Sequence, residues 1–338
     1  MSVQISGAPK RIGLALSGGG FRAAAFHLGV MRQLEEFGLL DKVDLFTCVS
    51  GGSIAGATVA LNWKRADRLD LLEKFLGSQS IAVSSFLGGS LDPFATRLEK
   101  LAEAYDKHLF HGKTLSVLNE GPRVYLNATN LATGNLFFFV SGAGKDCVMG
   151  DYELQTAPAL NFPISHAVAA SSAFPPVFPP LRLDEKTYPP AASFEYVTLT
   201  DGGVYDNMGI NPLLRHQRNQ LDYAIVSDGG KPFAIDSRPT ESGAIVLKAG
   251  LDIMMEQIRG LQFDRMQHRH LAGEGPKPMW FSIDSTNGEA QPGDAAFASA
   301  IDTNLRRLSA AEMAVLKRHG AALVKARIGM YAKELIGA

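Results

Sequence analysis

A buried strand that ends at a serine and turns directly into a helix is the feature that most constrains this fold. The apolar run Leu45–Val49 stops at Ser50, and two glycines and a small-residue segment follow it as far as Gly56. This pattern predicts a strand, a tight turn and a helix, with Ser50 at the apex of the turn. Such a turn lifts a serine hydroxyl out of the sheet to a site where a base can reach it. It needs small neighbours, because the strained turn has no room for bulky side chains.

The match to a G-x-S-x-G nucleophile turn is imperfect. Gly51 and Gly52 supply small residues on the helix side, whereas Cys48 stands where a glycine is usual on the strand side. Ser53 is a rival nucleophile, since small residues surround it too. We prefer Ser50 because it directly follows the strand. On this stretch alone, a turn that only connects two elements or that holds a phosphate remains an alternative.

Another strand-turn-helix unit lies upstream. Arg11–Leu16 predicts a strand, Ser17–Gly20 a glycine-rich loop and Phe21–Phe37 an amphipathic helix. Backbone amides at such a helix N-terminus bind anions, either a pyrophosphate or the oxyanion of ester hydrolysis. Dinucleotide binding requires an acidic residue at the end of the second strand, and Ser50 occupies that position. The oxyanion interpretation is therefore favoured.

A carboxylate follows a later strand. Tyr196–Thr200 predicts a strand that delivers Asp201 before two glycines, which let another backbone or a ligand approach closely. Asp201 is the candidate base, although an aspartate before Gly-Gly often only caps a turn. The strand Leu221–Ser227 also ends in Asp-Gly-Gly, with Asp228 as the acid. The tripeptide is therefore not specific by itself.

The remaining pattern predicts further helices and strands without a linker between them. Strands are predicted at Arg123–Thr129, Leu136–Val140 and Met279–Ile283, and helices at Leu91–Leu109, Ile245–Leu271 and Leu305–Leu335. The apolar stretch Ile81–Leu91 is either a mobile cover or a buried connection. Because no internal repeat or low-complexity tract divides the chain, we expect a single domain over residues 1–338.

Composition excludes several classes of partner. The 338 residues carry a net charge of −1, so no basic surface charge indicates nucleic acid. The two cysteines, Cys48 and Cys147, supply neither a disulfide framework nor a multi-cysteine metal cluster. The N-terminus has no apolar signal core, and no window is long and apolar enough for a spanning helix. We therefore expect a cytoplasmic protein.

Four blocks in this order resemble the patatin-like phospholipase family, and they lie between about residues 11 and 212. They are the glycine loop Gly18–Arg22, the nucleophile turn Val49–Ser53, the A-S-x-A-x-P block Ala170–Pro175 and the D-G-G block Asp201–Asn207. The family implies a three-layer α/β/α fold with a central, mostly parallel sheet. The motifs would lie in a core at about 11–212, followed by a C-terminal α/β extension at about 213–338.

The resemblance also implies a Ser-Asp catalytic dyad without a histidine. Ser50 would be the nucleophile and Asp201 the base that orients and deprotonates it. The amides of Gly18, Gly19 and Gly20 would bind the oxyanion. Arg22 would add positive charge or hold the loop in position.

The family implies hydrolysis of lipid acyl esters, of the phospholipase A or lysophospholipase type, with no cofactor and no metal. The partner is then a lipid or acyl-ester substrate, and peripheral contact with a membrane follows from that substrate class. The ester position and the oligomeric state are not predicted. One alternative is a non-catalytic lipid-binding relative. Another is an α/β-hydrolase esterase with a Ser-His-Asp triad, for which the histidines after Asp201 are His216, His268, His270 and His319.

Overall fold

The computed structural model describes residues 9–81, 97–142, 146–233 and 242–336. The strands are β1 Ile12–Leu16, β2 Val43–Val49, β3 Arg123–Asn130, β4 Leu136–Ser141, β5 Val148–Asp151, β6 Gln155–Pro158, β7 Leu181–Asp184, β8 Tyr196–Asp201, β9 Tyr223–Asp228 and β10 Lys277–Ser282. The α-helices of the described residues are α1 Gly20–Glu36, α2 Gly51–Leu61, α3 Arg68–Ser78, α4 Arg97–Tyr105, α5 Ile164–Ser171, α6 Gly203–Asp206, α7 Gly243–Leu271, α8 Asp294–Ala300 and α9 Ala310–Tyr331.

Five parallel strands form one side of the sheet, in the order β10-β9-β1-β2-β3 from its edge inward. Parallel neighbours need crossover connections, which α1 provides between β1 and β2 and α7 provides between β9 and β10. Beyond β3 the sheet continues through antiparallel β4, β5 and β6. The prediction of a central, mostly parallel sheet is confirmed.

Helices cover both faces of this sheet, which gives three layers. Side chains of a strand alternate between faces, and the strands pack accordingly: Leu14 and Leu16 belong to one apolar core, and Ala15 between them belongs to another. Helices α1 and α9 cover the first face and approach closely, since a Cβ on Gly29 would lie 2.0 Å from the Lys317 carbonyl oxygen. Helix α7 contributes Met266 to the second core. The predicted α/β/α architecture is therefore confirmed.

Strands β2 and β8 meet end to end along the same edge of β3. Strand β4 pairs with residues 124–129 of β3 on one edge. On the other edge β2 pairs in parallel up to Val49 beside Asn127, and β8 pairs antiparallel from Asp201 beside Ala128. The two strands thus point toward each other from opposite directions. This register brings Ser50, which follows β2, next to the last residue of β8.

Several predicted boundaries change in the structure. The last helix begins at Ala310 rather than at Leu305, because Ser309 caps it: Ser309 Oγ accepts from Glu312 N (3.2 Å), and Ser309 N donates to the Glu312 carboxylate (2.8 Å). It ends at Tyr331. The described part of the predicted helix at 91–109 begins at Arg97. Apart from Ile81, the predicted cover at 81–91 lies outside the described residues.

Apolar length in the helices is limited. None of the helices in the described ranges is long and apolar enough to cross a membrane. The three consecutive phenylalanines Phe137, Phe138 and Phe139 are buried in β4, which is typical of a strand covered on both faces.

Candidate active site

Ser50 joins β2 to α2 in a strained turn. Its backbone angles are φ 52° and ψ −114°, and a positive φ is uncommon for a residue with a side chain. The glycines after it are required by packing: a Cβ on Gly51 would lie 2.2 Å from the Gly20 carbonyl oxygen, and a Cβ on Gly52 would lie 2.0 Å from the Leu16 carbonyl oxygen. The two strand-turn-helix units therefore touch backbone to backbone at the carboxyl ends of β1 and β2.

Cys48, which replaces the usual glycine before the nucleophile turn, is fully buried against α2. A Cβ on Gly56 would lie only 2.3 Å from Cys48 Sγ, so the glycine at position 56 makes room for the thiol. Burial raises the pKa of the Cys48 thiol, which keeps it neutral. The departure from the family pattern is thus accommodated by a second small residue on the facing helix.

Asp201 lies at the end of β8 with its carboxyl group hydrogen-bonded to the Ser50 side chain. Its Oδ1 also accepts the Gly203 amide at 2.7 Å. The residue is buried, and burial raises the pKa of the Asp201 carboxyl to about 7, while the two hydrogen bonds act in the opposite direction. A carboxyl with a pKa near neutrality, in contact with a serine hydroxyl, has the properties of a general base.

Ser171 at the end of α5 holds the nucleophile turn from behind. Its Oγ accepts the Ser50 amide at 3.0 Å and donates to the Asn127 carbonyl at 2.5 Å. Because that donation uses the single proton of Ser171, the Ser53 hydroxyl must donate to Ser171 Oγ, at 2.8 Å. Ser53, the rival nucleophile, is therefore buried and engaged in a structural hydrogen bond.

In the glycine loop, one backbone amide is already hydrogen-bonded and two are available as donors. The Gly18 amide donates to the Asn207 carbonyl at 3.0 Å, so it is already used. Among the described residues, the amides of Gly19 and Gly20 donate to no group, and the same is true of Gly51 directly after Ser50. Gly19 and Gly20 have φ values of 141° and 61°, which favour glycine. Three backbone donors are thus available beside the serine.

Arg22 ties the glycine loop to two other segments of the same chain, near Gly229 and Ile301. It is fully buried, its Nη1 donates to the Ile301 carbonyl at 2.7 Å, and its Nε and Nη2 donate to the Gly229 carbonyl at 3.3 and 3.2 Å. Burial lowers the pKa of Arg22 to about 10. Of the two roles that the resemblance implies, the geometry fits that of holding the loop.

A buried histidine fixes the start of the loop. His27 Nε2 lies 2.9 Å from the Ser17 carbonyl, which can only accept, so Nε2 carries the proton. Its Nδ1 therefore accepts from Ser227 Oγ at 2.8 Å. Burial lowers the pKa of His27 to about 4, so the ring is neutral. The second Asp-Gly-Gly segment begins next to this network, and the Gly229 amide donates to Ser17 Oγ at 2.8 Å.

The histidines required for a Ser-His-Asp triad are engaged elsewhere or lie on other elements. His319 is buried and bonds the Ile283 carbonyl at 2.8 Å, while His268 and His270 lie in the last turn of α7. Within the described ranges, no histidine bonds to Ser50 or Asp201. Nor do three or more His, Cys, Asp or Glu side chains of these ranges come together as metal ligands would.

The sequence model of one family, described as patatin-like phospholipase, matches residues 14–214. The match covers more than half of the chain and includes all four motif blocks. The chain belongs to the patatin-like phospholipase family. A search of curated protein sequences gave no match.

Solved structures with the same fold include those of a human phospholipase. Human GIVD cytosolic phospholipase A2 matches with a TM-score of 0.60 and 13% identity, over 97% of this chain and 62% of that chain. A structure of it with the inhibitor methyl gamma-linolenyl fluorophosphonate and terbium chloride matches with a TM-score of 0.57 and 14% identity, over 97% and 59% of the two chains. The chain thus spans about three fifths of the length of these matched chains. At these identities the likeness shows the fold.

Two residues of this patatin-like phospholipase site have roles that motif reading did not identify. Ser171 lies inside the A-S-x-A-x-P block, and Asn207 ends the D-G-G block. The carbonyl of Asn207 holds Gly18, and its side chain lies against Gly203. The blocks themselves were the available signal, but only the folded chain shows which partner each side chain bonds.

Proposed function

We propose that the chain is a serine acyl hydrolase that cleaves lipid acyl esters, of the phospholipase A or lysophospholipase type, through a Ser50–Asp201 dyad. The observation that carries this proposal is the pairing of β2 and β8 with one edge of β3, which places the Ser50 side chain next to the buried carboxyl of Asp201, whose pKa is about 7. Family membership supports a lipid ester as the substrate class.

In the proposed reaction, Ser50 Oγ attacks the ester carbonyl carbon while its proton passes to Asp201. The amides of Gly19, Gly20 and Gly51 donate to the oxyanion of the tetrahedral intermediate, and the loss of one such donor typically costs about a hundredfold or more in rate. Collapse breaks the bond to the leaving alcohol or lysolipid, which takes the proton from Asp201. Water, deprotonated by Asp201, then attacks the acyl-enzyme; the bond to Ser50 Oγ breaks, the acid leaves, and Asp201 returns the proton to Ser50 Oγ.

Two features favour this scheme over its alternatives, and a third limits the set of oxyanion donors. Asp201 contacts Ser50 directly, which leaves no position between them for the histidine of a triad. The strained φ of Ser50 is a cost that a protein retains where function needs it, which argues against a non-catalytic lipid-binding relative. Gly18 is not among the proposed oxyanion donors, because its amide is bonded to Asn207.

Labelling with a fluorophosphonate probe tests the nucleophile. We expect an adduct on Ser50 by mass spectrometry, and turnover of a fluorogenic acyl ester that is lost in Ser50→Ala. Ser53→Ala is the matched control, because it also removes a hydroxyl from this turn and should retain most of the activity. An adduct on Ser53, or full turnover in a folded Ser50→Ala protein, would refute the proposed nucleophile.

A further inference from the structure

Helix α7 runs antiparallel to the strands and continues past their carboxyl ends. Arg259 lies level with these ends, since its Nε is 2.7 Å from Asp228 Oδ2 and its Nη2 bonds Ser282 Oγ at 2.9 Å. Four residues later, Phe263 packs against Trp280, earlier in β10, with ring centroids 5.0 Å apart and the rings tilted by 54°. The sixteen residues before Arg259 therefore project about 24 Å beyond the sheet at 1.5 Å per residue.

This projection rises from the edge of the sheet that carries Ser50 and Asp201. At its base, Ile258 and Leu261 of α7 line an open cavity of about 460 Å³ together with Val204 and Tyr205, which follow the Asp201 turn. The helix thus lies beside the short helix that follows the Asp201 turn.

In the projecting part of α7, the apolar side chains that the structure describes face outward and the charged ones face the protein. Leu247, Met254 and Leu261 recur every seven residues, which puts them along one line of the helix, and they are 79%, 57% and 68% exposed. The charged residues Asp252 and Glu256 lie about 160° around the helix, on the same side as Arg259 and its partner Asp228. A helix that only served a water-exposed surface would have the opposite arrangement.

Among the side chains between 246 and 261 that the structure describes, those exposed on the outward face carry no charge. The residues between 246 and 261 whose side chains are described as exposed are Val246, Leu247, Ile253, Met254, Gln257, Gly260 and Leu261. A coiled-coil seam is narrow, is usually sustained over three or more heptads and is flanked by charged positions. This face is broader and shorter than that, and uncharged, which suits insertion among lipid chains.

We propose that the outward apolar face of α7, residues 246–261, docks the protein on a phospholipid surface and so presents the edge with Ser50 to its lipid. The inference rests on the proposed function, because a lipid ester substrate resides in such a surface. Docking buries the exposed Leu, Ile and Met side chains, which removes apolar area from water. It needs no opening of the core and no change at the dyad.

The test measures vesicle binding and catalysis separately. Leu247→Gln, Ile253→Gln and Met254→Gln are combined in one variant, since glutamine is a good helix former. The control variant combines Leu160→Gln, Leu271→Gln and Met330→Gln, which changes three exposed apolar residues elsewhere on the surface. Both are prepared with intact Ser50 for turnover of a soluble short-chain ester, and with Ser50→Ala for co-sedimentation with phosphatidylcholine vesicles.

We expect the α7 variant to lose about tenfold or more in vesicle partitioning, given the apolar area it removes, while the control variant binds as the parent does. Turnover of the soluble ester should be equal in all three. Equal vesicle binding in the two variants would overturn the docking proposal, whatever the ester assay gives. A parent protein that is dimeric by sedimentation, and monomeric only in the α7 variant, would overturn it in favour of a second copy. Absence of ester turnover in the parent would instead refute the proposed function.

Discussion

The chain contains two Asp-Gly-Gly turns with the same local geometry and different surroundings. Asp201 and Asp228 each end a strand, are buried, and accept at Oδ1 the amide of the glycine two residues later, at 2.7 and 3.1 Å. The Asn207 side chain lies between the two turns: a Cβ on Gly203 would be 2.6 Å from its Oδ1, and a Cβ on Gly230 would be 2.9 Å from its Nδ2.

The difference lies in what else each carboxylate meets. Asp201 interacts with the Ser50 hydroxyl, and no cation within the described ranges offsets its burial, so its pKa rises to about 7. Asp228 faces the Arg259 guanidinium at 2.7 Å and forms a largely buried ion pair. The tripeptide therefore specifies a turn, and the partner supplied by a distant part of the chain decides whether the carboxyl can exchange a proton.

Replacing Asp201 or Asp228 by asparagine should show the largest difference between the two turns, measured as the loss of turnover. Asp201→Asn removes the proposed base, and we expect a loss of about a thousandfold or more in kcat. Asp228→Asn changes the same atoms in the other turn and should retain activity within about tenfold, because Arg259 acts on no reacting atom in the proposed scheme. Steady-state kinetics on a fluorogenic ester measures both. Equal losses in the two variants would mean that the turns are not functionally distinct.

The same two substitutions should change stability in opposite directions at pH 8. A raised pKa in the folded state means that Asp201 contributes most to stability below pH 4, its unfolded pKa range, and that this contribution is lost as the pH rises through about 7. The loss is on the order of 4 kcal/mol, and asparagine does not incur it. Asp201→Asn should therefore be more stable than the parent at pH 8 and similar to it near pH 4.

Asp228→Asn should instead be less stable at pH 8, by roughly 2 kcal/mol, because it leaves Arg259 without its buried partner. Urea unfolding of the parent and both variants at the two pH values measures the free energies. A destabilised Asp201→Asn protein at pH 8 would show that the ionised carboxyl makes favourable contacts that outweigh its burial.

The pH dependence of turnover should report Asp201. The base must be ionised, so kcat/KM should fall about tenfold per pH unit below a midpoint near 7, and level off above it. The Asp228→Asn variant should retain the midpoint, since its substitution lies in the other turn. A midpoint below pH 5 would contradict either the role of Asp201 as the base or the raised pKa of its carboxyl in the free enzyme.

Local pattern was sufficient for much of the fold. The strands around β1, β2 and β9 are apolar runs that end in glycine turns, so both their existence and their carboxyl edges could be predicted. Local pattern did not predict the contact between Ser50 and Asp201, which only the family resemblance implied, because the contact depends on β2 and β8 pairing with the same edge of β3. Propensity carries no information about such a long-range register.

Individual hydrogen bonds were also beyond the sequence. A glycine loop predicts available amides, but only the fold shows that Asn207 uses the amide of Gly18. The amphipathic pattern predicted helix α7 correctly. It did not predict that the apolar side would face outward, because the inward side is set by Asp228 and Ser282 at the strand ends.

Two adjacent serines offer a finer test of what distinguishes the Asp201 turn. Ser171 bonds both halves of the proposed dyad: its Oγ accepts the Ser50 amide at 3.0 Å, and its carbonyl accepts the Gly202 amide at 3.3 Å. Ser172 is equally buried, and its Oγ donates to the Val168 carbonyl at 2.7 Å within α5. Only the first of these hydroxyls acts on the nucleophile turn.

Ser171→Ala should therefore lower kcat by about tenfold with little change in KM, since it removes the hydrogen bonds of Ser171 Oγ to the Ser50 amide, to Ser53 and to Asn127, each worth about 1 kcal/mol, and so loosens the position of Ser50. Fluorophosphonate labelling of Ser50 should slow by the same factor, and the pH midpoint near 7 should not move, because Asp201 is unchanged. Ser172→Ala removes a similar hydroxyl and should leave kcat within about twofold of the parent. If both variants lost kcat equally, in proportion to their loss of stability, the effect would belong to α5 packing. A selective loss in Ser171→Ala would mean that the end of α5, whose Ser171 carbonyl also accepts the Gly202 amide after Asp201, holds the turn around the nucleophile.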